Sequence, residues 1–386
     1  MIFDHNLIDG KFQHAILEGS SYEIGKMQGQ ALKDNQKMHA RIEKSIASFL
    51  TSIGYSSSKL NHKNMGFQDF QEMQVFFEEH CPGLNEEIQG FADGLNIDVA
   101  EVPFYGATYI LPKNCSQFAV LSSVTSDRHV YVGRSYEWIH TADDLRLCTT
   151  RVKDKANHIG FSTFLFGRAD GLNEHGVSAT FTGGGIFDIP YTQKGFESCL
   201  VIRSILDNCK SVDDAVQLIH NMPLSGFFNL LVVDSKSNAA LVEFADGIID
   251  MKRIDNNSEG RVLFSTNHYA LQATMKSNEL NCGIINNSRR RYQLLESTLG
   301  KAAPRISKET LRMILSKRFP EGVCDHYYSE AFGTLWSAIF DLTSLKADVC
   351  FGAPTYNEWR SFALNEPVGV KEYPAIFPDA RNEWPY

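Results

Sequence analysis

Asn114-Cys115-Ser116-Gln117-Phe118-Ala119-Val120 and, after the polar turn Ser126-Asp127-Arg128-His129, Val130-Tyr131-Val132-Gly133-Arg134-Ser135-Tyr136-Glu137-Trp138 form the stretch that carries the reading of this chain. Two β-rich runs joined by a short polar turn predict a hairpin. That hairpin sets Cys115 at the start of one strand and Arg134 and Glu137 at the end of the other. A thiol facing a cation and a carboxylate is a candidate nucleophile, because thiolate is the reactive form and nearby positive charge favours it. The plainer reading is a structural cysteine at a strand start, since an unpaired cysteine behaves as a small core residue. Motifs downstream favour the first reading.

Upstream the texture is helical. Ser20 or Ser21 can cap a helix with Glu23 in its first turn, and Ile24, Met27 and Ala31 follow at helical spacing. This helix is expected to run to about Ser52, weakened at Gly25 and Gly29. A second helical stretch over 67–91 crosses a break at Cys81-Pro82-Gly83. Residues 1–114 therefore read as a mostly helical segment and 115–386 as a second, nucleophile-bearing unit. Downstream, strands are expected at 116–121, 129–134, 147–152, 159–166, 177–182, 228–233, 239–244, 248–253, 262–265, 333–340 and 347–352. Helices are expected at 196–208, 211–220, 288–299 and 307–316. Asp255-Asn256-Asn257-Ser258-Glu259-Gly260 reads as a hairpin loop. Without strict βαβ alternation, the pattern favours a layered α+β fold over a doubly wound parallel sheet.

The 386 residues, 43% of them hydrophobic and 22% charged, suffice for a large buried core. A net charge of -9 argues against nucleic acid or an anionic membrane as main partner. Cysteines stand at 81, 115, 148, 199, 209, 282, 324 and 350, with no CxxC pair and no zinc-like Cys/His spacing. Cys324-Asp325-His326 is the nearest approach to a metal cluster and reads as a surface turn, so no metal or organic cofactor is expected. Scattered cysteines in a chain this long suggest reduced thiols and a cytoplasmic setting. Met1-Ile2-Phe3-Asp4-His5 lacks the features of a secretory signal, and no apolar stretch approaches the roughly 20 residues that span a bilayer.

Five pieces assemble into a candidate site. They are Cys115; Gly133-Arg134-Ser135-Tyr136-Glu137-Trp138; Asp170-Gly171-Leu172-Asn173-Glu174-His175-Gly176-Val177 leading to Thr182-Gly183-Gly184-Gly185; Ser265-Thr266-Asn267-His268; and Asn287-Ser288-Arg289-Arg290-Arg291-Tyr292. In order and spacing they resemble the N-terminal nucleophile hydrolases of the choloylglycine hydrolase and penicillin V acylase type. The resemblance is nearer still to the acyl-CoA:6-aminopenicillanate acyltransferase-like branch, peptidase family C45. Leu17-Glu18-Gly19-Ser20-Ser21-Tyr22-Glu23-Ile24-Gly25 with Gly29 resembles that branch's opening, and Glu86-Glu87-Ile88-Gln89-Gly90-Phe91-Ala92-Asp93-Gly94 its pre-nucleophile helix. Thr334-Leu335-Trp336-Ser337, Gly352-Ala353-Pro354 and Trp359 resemble its C-terminal end.

The resemblance implies a four-layer αββα sandwich and self-cleavage between Asn114 and Cys115. Cys115 would then be the nucleophile and its own α-amine the base. An α-amine titrates near roughly 7.7 and is partly neutral at physiological pH, whereas an amide nitrogen accepts no proton. Arg134 would favour the thiolate. Glu137 stands where the bile-salt branch usually has Asp, one methylene shorter. Asn267 would supply one oxyanion donor and a backbone N–H near Gly183 a second, each contributing about 3–4 kcal/mol. Arg291 would support the site electrostatically, with Arg289 and Arg290 adjacent, and Asn173 would hold its own turn together. The implied activity is linear amide hydrolysis or acyl transfer through a Cys115 thioester on a small-molecule amide or acyl donor, with acyl-CoA one candidate. A homo-oligomer stays open. Two alternatives remain: a hydrolase that is not processed and uses His175 or His268 as base, and a non-catalytic binding or scaffold relative. Asn114 bears on both, because the acyltransferase branch often has Gly before its nucleophile.

Overall fold

The computed structural model describes residues 5–35, 70–102, 114–141, 143–163, 165–185, 192–280, 285–302, 305–330 and 332–380. The first segment contributes β1 (His5–Gly19), α1 (Ser21–Leu32), α2 (Phe70–His80) and α3 (Leu84–Leu95). The expectation of a mostly helical segment is corrected at its opening, where residues 5–19 form a strand. His14, Ala15, Ile16 and Leu17 are all buried, so both faces of β1 are covered in its second half, and the alternation that announces a half-buried strand is missing there. Ser20 caps α1 and closes a capping box with Glu23. The helix ends at Leu32 rather than near Ser52, and the rest of that expected run lies outside the described residues. The break at Cys81-Pro82-Gly83 separates α2 from α3. Gly25 and Gly90 let α1 and α3 approach closely: a Cβ at Gly25 would lie 1.9 Å from the Glu87 carbonyl oxygen.

From Asn114 the chain runs through β2 (Asn114–Val120), β3 (Tyr131–Trp138), β4 (Arg146–Val152), β5 (His158–Thr163), β6 (Gly167–Arg168), β7 (Asp170–Asn173) and β8 (Val177–Gly183). Next come α4 (Ser198–Asn208), α5 (Val212–Asn221), β9 (Phe227–Asp234), β10 (Ala239–Ala245), β11 (Ile248–Ile254) and β12 (Val262–Ser265). The chain closes with α6 (Ile285–Ala302), α7 (Lys308–Ser316), β13 (His326–Tyr327), β14 (Phe332–Asp341), β15 (Lys346–Phe351), β16 (Trp359–Ala363) and β17 (Gly369–Ala380).

Among the described residues the strands make two sheets, and the fold is α+β. One has ten strands in the order β11-β10-β9-β8-β7-β5-β4-β1-β17, with β6 on β5. The other has seven, β12-β2-β3-β14-β15-β16, with β13 on β14. β2 packs against β8 and β9 of the first sheet; α4 and α5 pack on the first sheet, α6 and α7 on the second. β1 sits inside the ten-stranded sheet, parallel to β4 and antiparallel to β17, so the position between Asn114 and Cys115 is not a boundary between separate sheets. A buried chain of charges adds to this tie: Gln28 donates to Glu87, and Arg203 on α4 reaches Glu87 at 2.9 Å.

Two local readings are corrected. Residues 255–260 connect β11 to β12, which lie in different sheets, so the segment is a crossover and not a hairpin loop. Cys324, Asp325 and His326 are buried rather than on a surface turn, because β13 pairs with β14 inside the packed second sheet.

Candidate active site

β2 and β3 form the expected hairpin, with Asn114 opposite Glu137, Cys115 opposite Tyr136 and Gln117 opposite Arg134. Opposed residues share a face and neighbours alternate. Cys115, Gln117, Arg134 and Tyr136 therefore point to one face, and Ser116, Ser135 and Glu137 to the other. The inner face meets β8 and β9 of the other sheet; the outer face meets α6.

On the inner face Arg134 Nη2 donates to Cys115 Sγ at 3.2 Å. Both residues are fully buried. The guanidinium lies 5.2 Å from the Tyr136 ring centre and 5.7 Å from that of Phe181. Asp170 holds it from behind, Oδ2 standing 3.7 Å from Arg134 Nε. Asp170 is fixed in turn by Trp336 Nε1 at 2.9 Å and the Phe161 N–H at 3.1 Å. In this dry setting a cation acts on its neighbour far more strongly than in water. Burial pushes Cys81 up to about 11 and Cys209 and Cys350 up to about 12, and raises Cys324 well above its ordinary value.

Asn267, just beyond β12, stands at the backbone side of the nucleophile. Its Oδ1 accepts the Cys115 N–H at 2.7 Å and Arg291 Nη2 at 2.9 Å, while its Nδ2 donates to the Gly183 carbonyl at 3.0 Å. Two donors on one side and a carbonyl on the other set the amide's orientation. Gly183 thus meets Asn267 through its carbonyl, and the Gly184 N–H donates to Phe227 O. Arg291, on α6, also donates from Nη1 to the Cys115 carbonyl at 2.7 Å and to Ser116 Oγ at 2.9 Å, with Asn287 accepting from its Nε. Arg291 is buried and reaches the Cys115 carbonyl, whereas Arg289 and Arg290 are exposed.

Glu137 is brought near but not onto the thiol's face. Its Oε1 accepts from Ser135 Oγ and from Thr334 Oγ1. Burial, then Asp325, pushes its carboxyl up to about 8. Asn173 accepts the His175 and Val177 N–H groups and donates to the Leu206 and Cys209 carbonyls, holding the β7–β8 turn against the end of α4. His175 is exposed on that turn, at the opposite end of β8 from Gly183, about 20 Å away at strand rise. His268 bonds through Nδ1 to Ser288 Oγ at 2.7 Å, and burial, then Arg291 and Arg289, lowers it to about 4.

Sequence reasoning quoted Ser116, Gln117, Asp170, Ser265 and Ser288 within its motifs but gave them no role, and it missed Asn229 altogether. Gln117 and Asn229 carried a usable signal: each is an amide side chain inside an apolar strand run. Among the described residues no group of three or more His, Cys, Asp or Glu side chains could hold a metal ion, and no helix is long and apolar enough to cross a membrane.

A sequence profile described as acyl-coenzyme A:6-aminopenicillanic acid acyl-transferase matches residues 124–356, more than half of the chain. The chain belongs to that family. The matched span includes Arg134, Glu137, Gly183, Asn267 and Arg291 and begins downstream of Cys115. No curated protein matches. Among solved structures the chain is similar to penicillin V acylase from Agrobacterium tumefaciens, at 15% identity and TM-score 0.45, over 67% of this chain and 90% of that one. It is also similar to a mutant conjugated bile acid hydrolase from Clostridium perfringens, at 13% identity and TM-score 0.40, over 67% and 96%. A third is a Caenorhabditis elegans ortholog of N-acylethanolamine-hydrolyzing acid amidase, at 13% identity and TM-score 0.43, over 59% and 93%.

Proposed function

We propose that this family member is a cysteine N-terminal nucleophile enzyme that cuts itself between Asn114 and Cys115 and then hydrolyses or transfers acyl groups from small linear amides. The observation that carries the reading is the 3.2 Å contact between Arg134 and the Cys115 thiol, with Asn267 and Arg291 on the same residue's backbone. Cationic neighbours favour thiolate over thiol. In self-cleavage Sγ bonds to the Asn114 carbonyl carbon, the C–N bond to Cys115 breaks and the nitrogen takes up a proton. Water then resolves the ester, leaving a carboxylate on Asn114 and an amine on Cys115.

In the cut enzyme the α-amine of Cys115 serves as base. The thiolate attacks the amide carbonyl carbon, the oxyanion is held by N–H donors, and the protonated amine gives its proton to the leaving nitrogen. Water or an acceptor amine then takes the acyl group from sulfur. Asn267 has two tasks. In the intact chain its oxygen holds the scissile nitrogen; a half-turn of its amide in the cut enzyme would aim the NH2 group at the oxyanion. The segment ending at Asn114 stays in place after cleavage, because β1 is an interior strand of the ten-stranded sheet. The reading needs no metal or organic cofactor.

The test is the denatured mass of purified wild type beside Cys115→Ala. Two species, one ending at Asn114 and one beginning at Cys115, are expected for wild type and a single full-length species for the variant. A single full-length mass in both removes the α-amine base and this mechanism with it.

A further inference from the structure

Between the sheets, beside Cys115, lies a second polar cluster, separate from the Arg134–Asp170 pair. Gln117 donates to Ser265 Oγ at 2.8 Å and to the Asn229 carbonyl at 3.2 Å. Thr180 Oγ1 closes on Gln117 Oε1 from β8. Asn229, Gln117, Thr180 and Thr182 are fully buried. Such groups carry a desolvation cost, and every contact they make replaces a contact with water.

Asn229 is the centre of this cluster. Its Nδ2 faces the Thr266 carbonyl at 3.0 Å, the His268 carbonyl at 3.3 Å and Thr182 Oγ1 at 3.0 Å. Two carbonyls on one side of the amide require its NH2 there. Those carbonyls flank Asn267. Thr182 Oγ1 adds a second bond to the Thr266 carbonyl, at 2.6 Å. The side chains flanking Asn267 are held from the opposite direction: Thr266 Oγ1 donates to the Ser288 carbonyl at 2.9 Å and His268 Nδ1 pairs with Ser288 Oγ. The short segment 266–268 is therefore pinned by β9 on its backbone and by α6 on its side chains. Only the Asn267 side chain projects toward Cys115.

We infer that Asn229, seconded by Thr182, is the positioning residue that aims Asn267 at Cys115. The inference rests on the reading of Cys115 as a self-cleaving nucleophile. Asn229 touches no reacting atom; it sets where the Asn267 amide stands. It leaves the Arg134–Cys115 pair alone, which lies on β2 and β3.

The test measures self-cleavage after cell-free synthesis, by denatured mass over time, for wild type, Asn229→Ala, Asn267→Ala and the double variant. The rate of Cys115 alkylation by iodoacetamide is followed against pH in the same proteins. Asn229→Ala is expected to slow cleavage at least about tenfold, the scale of a lost hydrogen bond to buried carbonyls. The double variant should be no slower than Asn267→Ala alone, and the alkylation profile of Asn229→Ala should match wild type. Additive losses, or an Asn229→Ala variant that cleaves normally, overturn the inference while leaving Cys115 as the nucleophile. A wild type that never cleaves overturns both. Should Asn229→Ala fail to fold, the isosteric Thr182→Val takes its place in the same cycle. It is expected to slow cleavage about threefold and again add nothing to Asn267→Ala.

Discussion

The two faces of the β2–β3 hairpin place their charged groups differently around Cys115. On the inner face Arg134 is buried against aromatic rings, and its guanidinium reaches the Cys115 sulfur. On the outer face Glu137 is buried beside Asp325, and its carboxyl is pushed up to about 8. Burial raises the carboxyl on each face, Asp170 on the inner and Glu137 on the outer, but only the inner face brings a guanidinium onto the sulfur. A single peptide nitrogen, that of Cys115, lies where the two meet, held by Asn267. Under the proposed mechanism the inner face would prepare the attacking sulfur, while the Glu137 carboxyl on the outer face is bonded to Ser135 and Thr334.

The largest expected effect comes from breaking the inner face. Arg134→Met should lower self-cleavage and turnover on the order of a hundredfold, as loss of a preorganised charge does. It should also slow Cys115 alkylation at neutral pH, because the cation that favours thiolate is gone. Removing the arginine leaves Asp170 buried without its partner, a cost of about 3–5 kcal/mol. Arg134→Met with Asp170→Asn separates the two consequences: thermal stability should recover while the thiol stays unreactive. If alkylation recovers along with stability, Arg134 acts on the fold and not on the sulfur.

Glu137→Gln sharpens the other side. The carboxyl keeps its proton in the fold until about pH 8, whereas an exposed glutamate loses it near pH 4.3, roughly. The folded state therefore binds the extra proton between those values, and stability falls as pH rises through that window. Wild type should lose melting temperature from pH 5 to pH 8, and Glu137→Gln should lose less. Turnover should drop roughly three- to tenfold, the worth of a neutral hydrogen bond. Cys115 alkylation should be unchanged, because Glu137 faces away from the thiol. A shifted alkylation profile would dissolve the distinction between the faces.

Much of this was legible in the sequence where the signals were local. The hairpin followed from two apolar runs and a polar turn, and the order of five motifs brought Arg134, Glu137, Asn267 and Arg291 around Cys115. The expectation that the thiol faces both groups is corrected: Arg134 and Glu137 are three apart on one strand and point to opposite sides, so only Arg134 shares the face of Cys115. β1 was not legible, because burial on both faces erases alternation. The pinning of Asn267 was not legible either. Asn229 stands out as an amide within Phe227-Phe228-Asn229-Leu230-Leu231-Val232-Val233, but the run says only that the strand is buried and not what the amide meets. Its partners are strands and loops brought close by the crossover from β11 to β12, and no local pattern encodes that meeting.

The smallest expected effect tests whether the hairpin needs a histidine at all. His268 lies on the outer side, bonded to Ser288 at the start of α6, and burial lowers it to about 4. A base that weak is a poor match for proton transfer near neutral pH. His268→Asn retains a polar atom to face Ser288 and should change turnover by less than about fivefold, the scale of one weakened neutral hydrogen bond. The acidic limb of the pH–rate profile should stay where wild type has it, set by the α-amine of Cys115. If that limb moves, or turnover collapses while the chain still cuts itself, the proton acceptor is the histidine. The amine created by cleavage would then be a by-product of processing rather than its purpose.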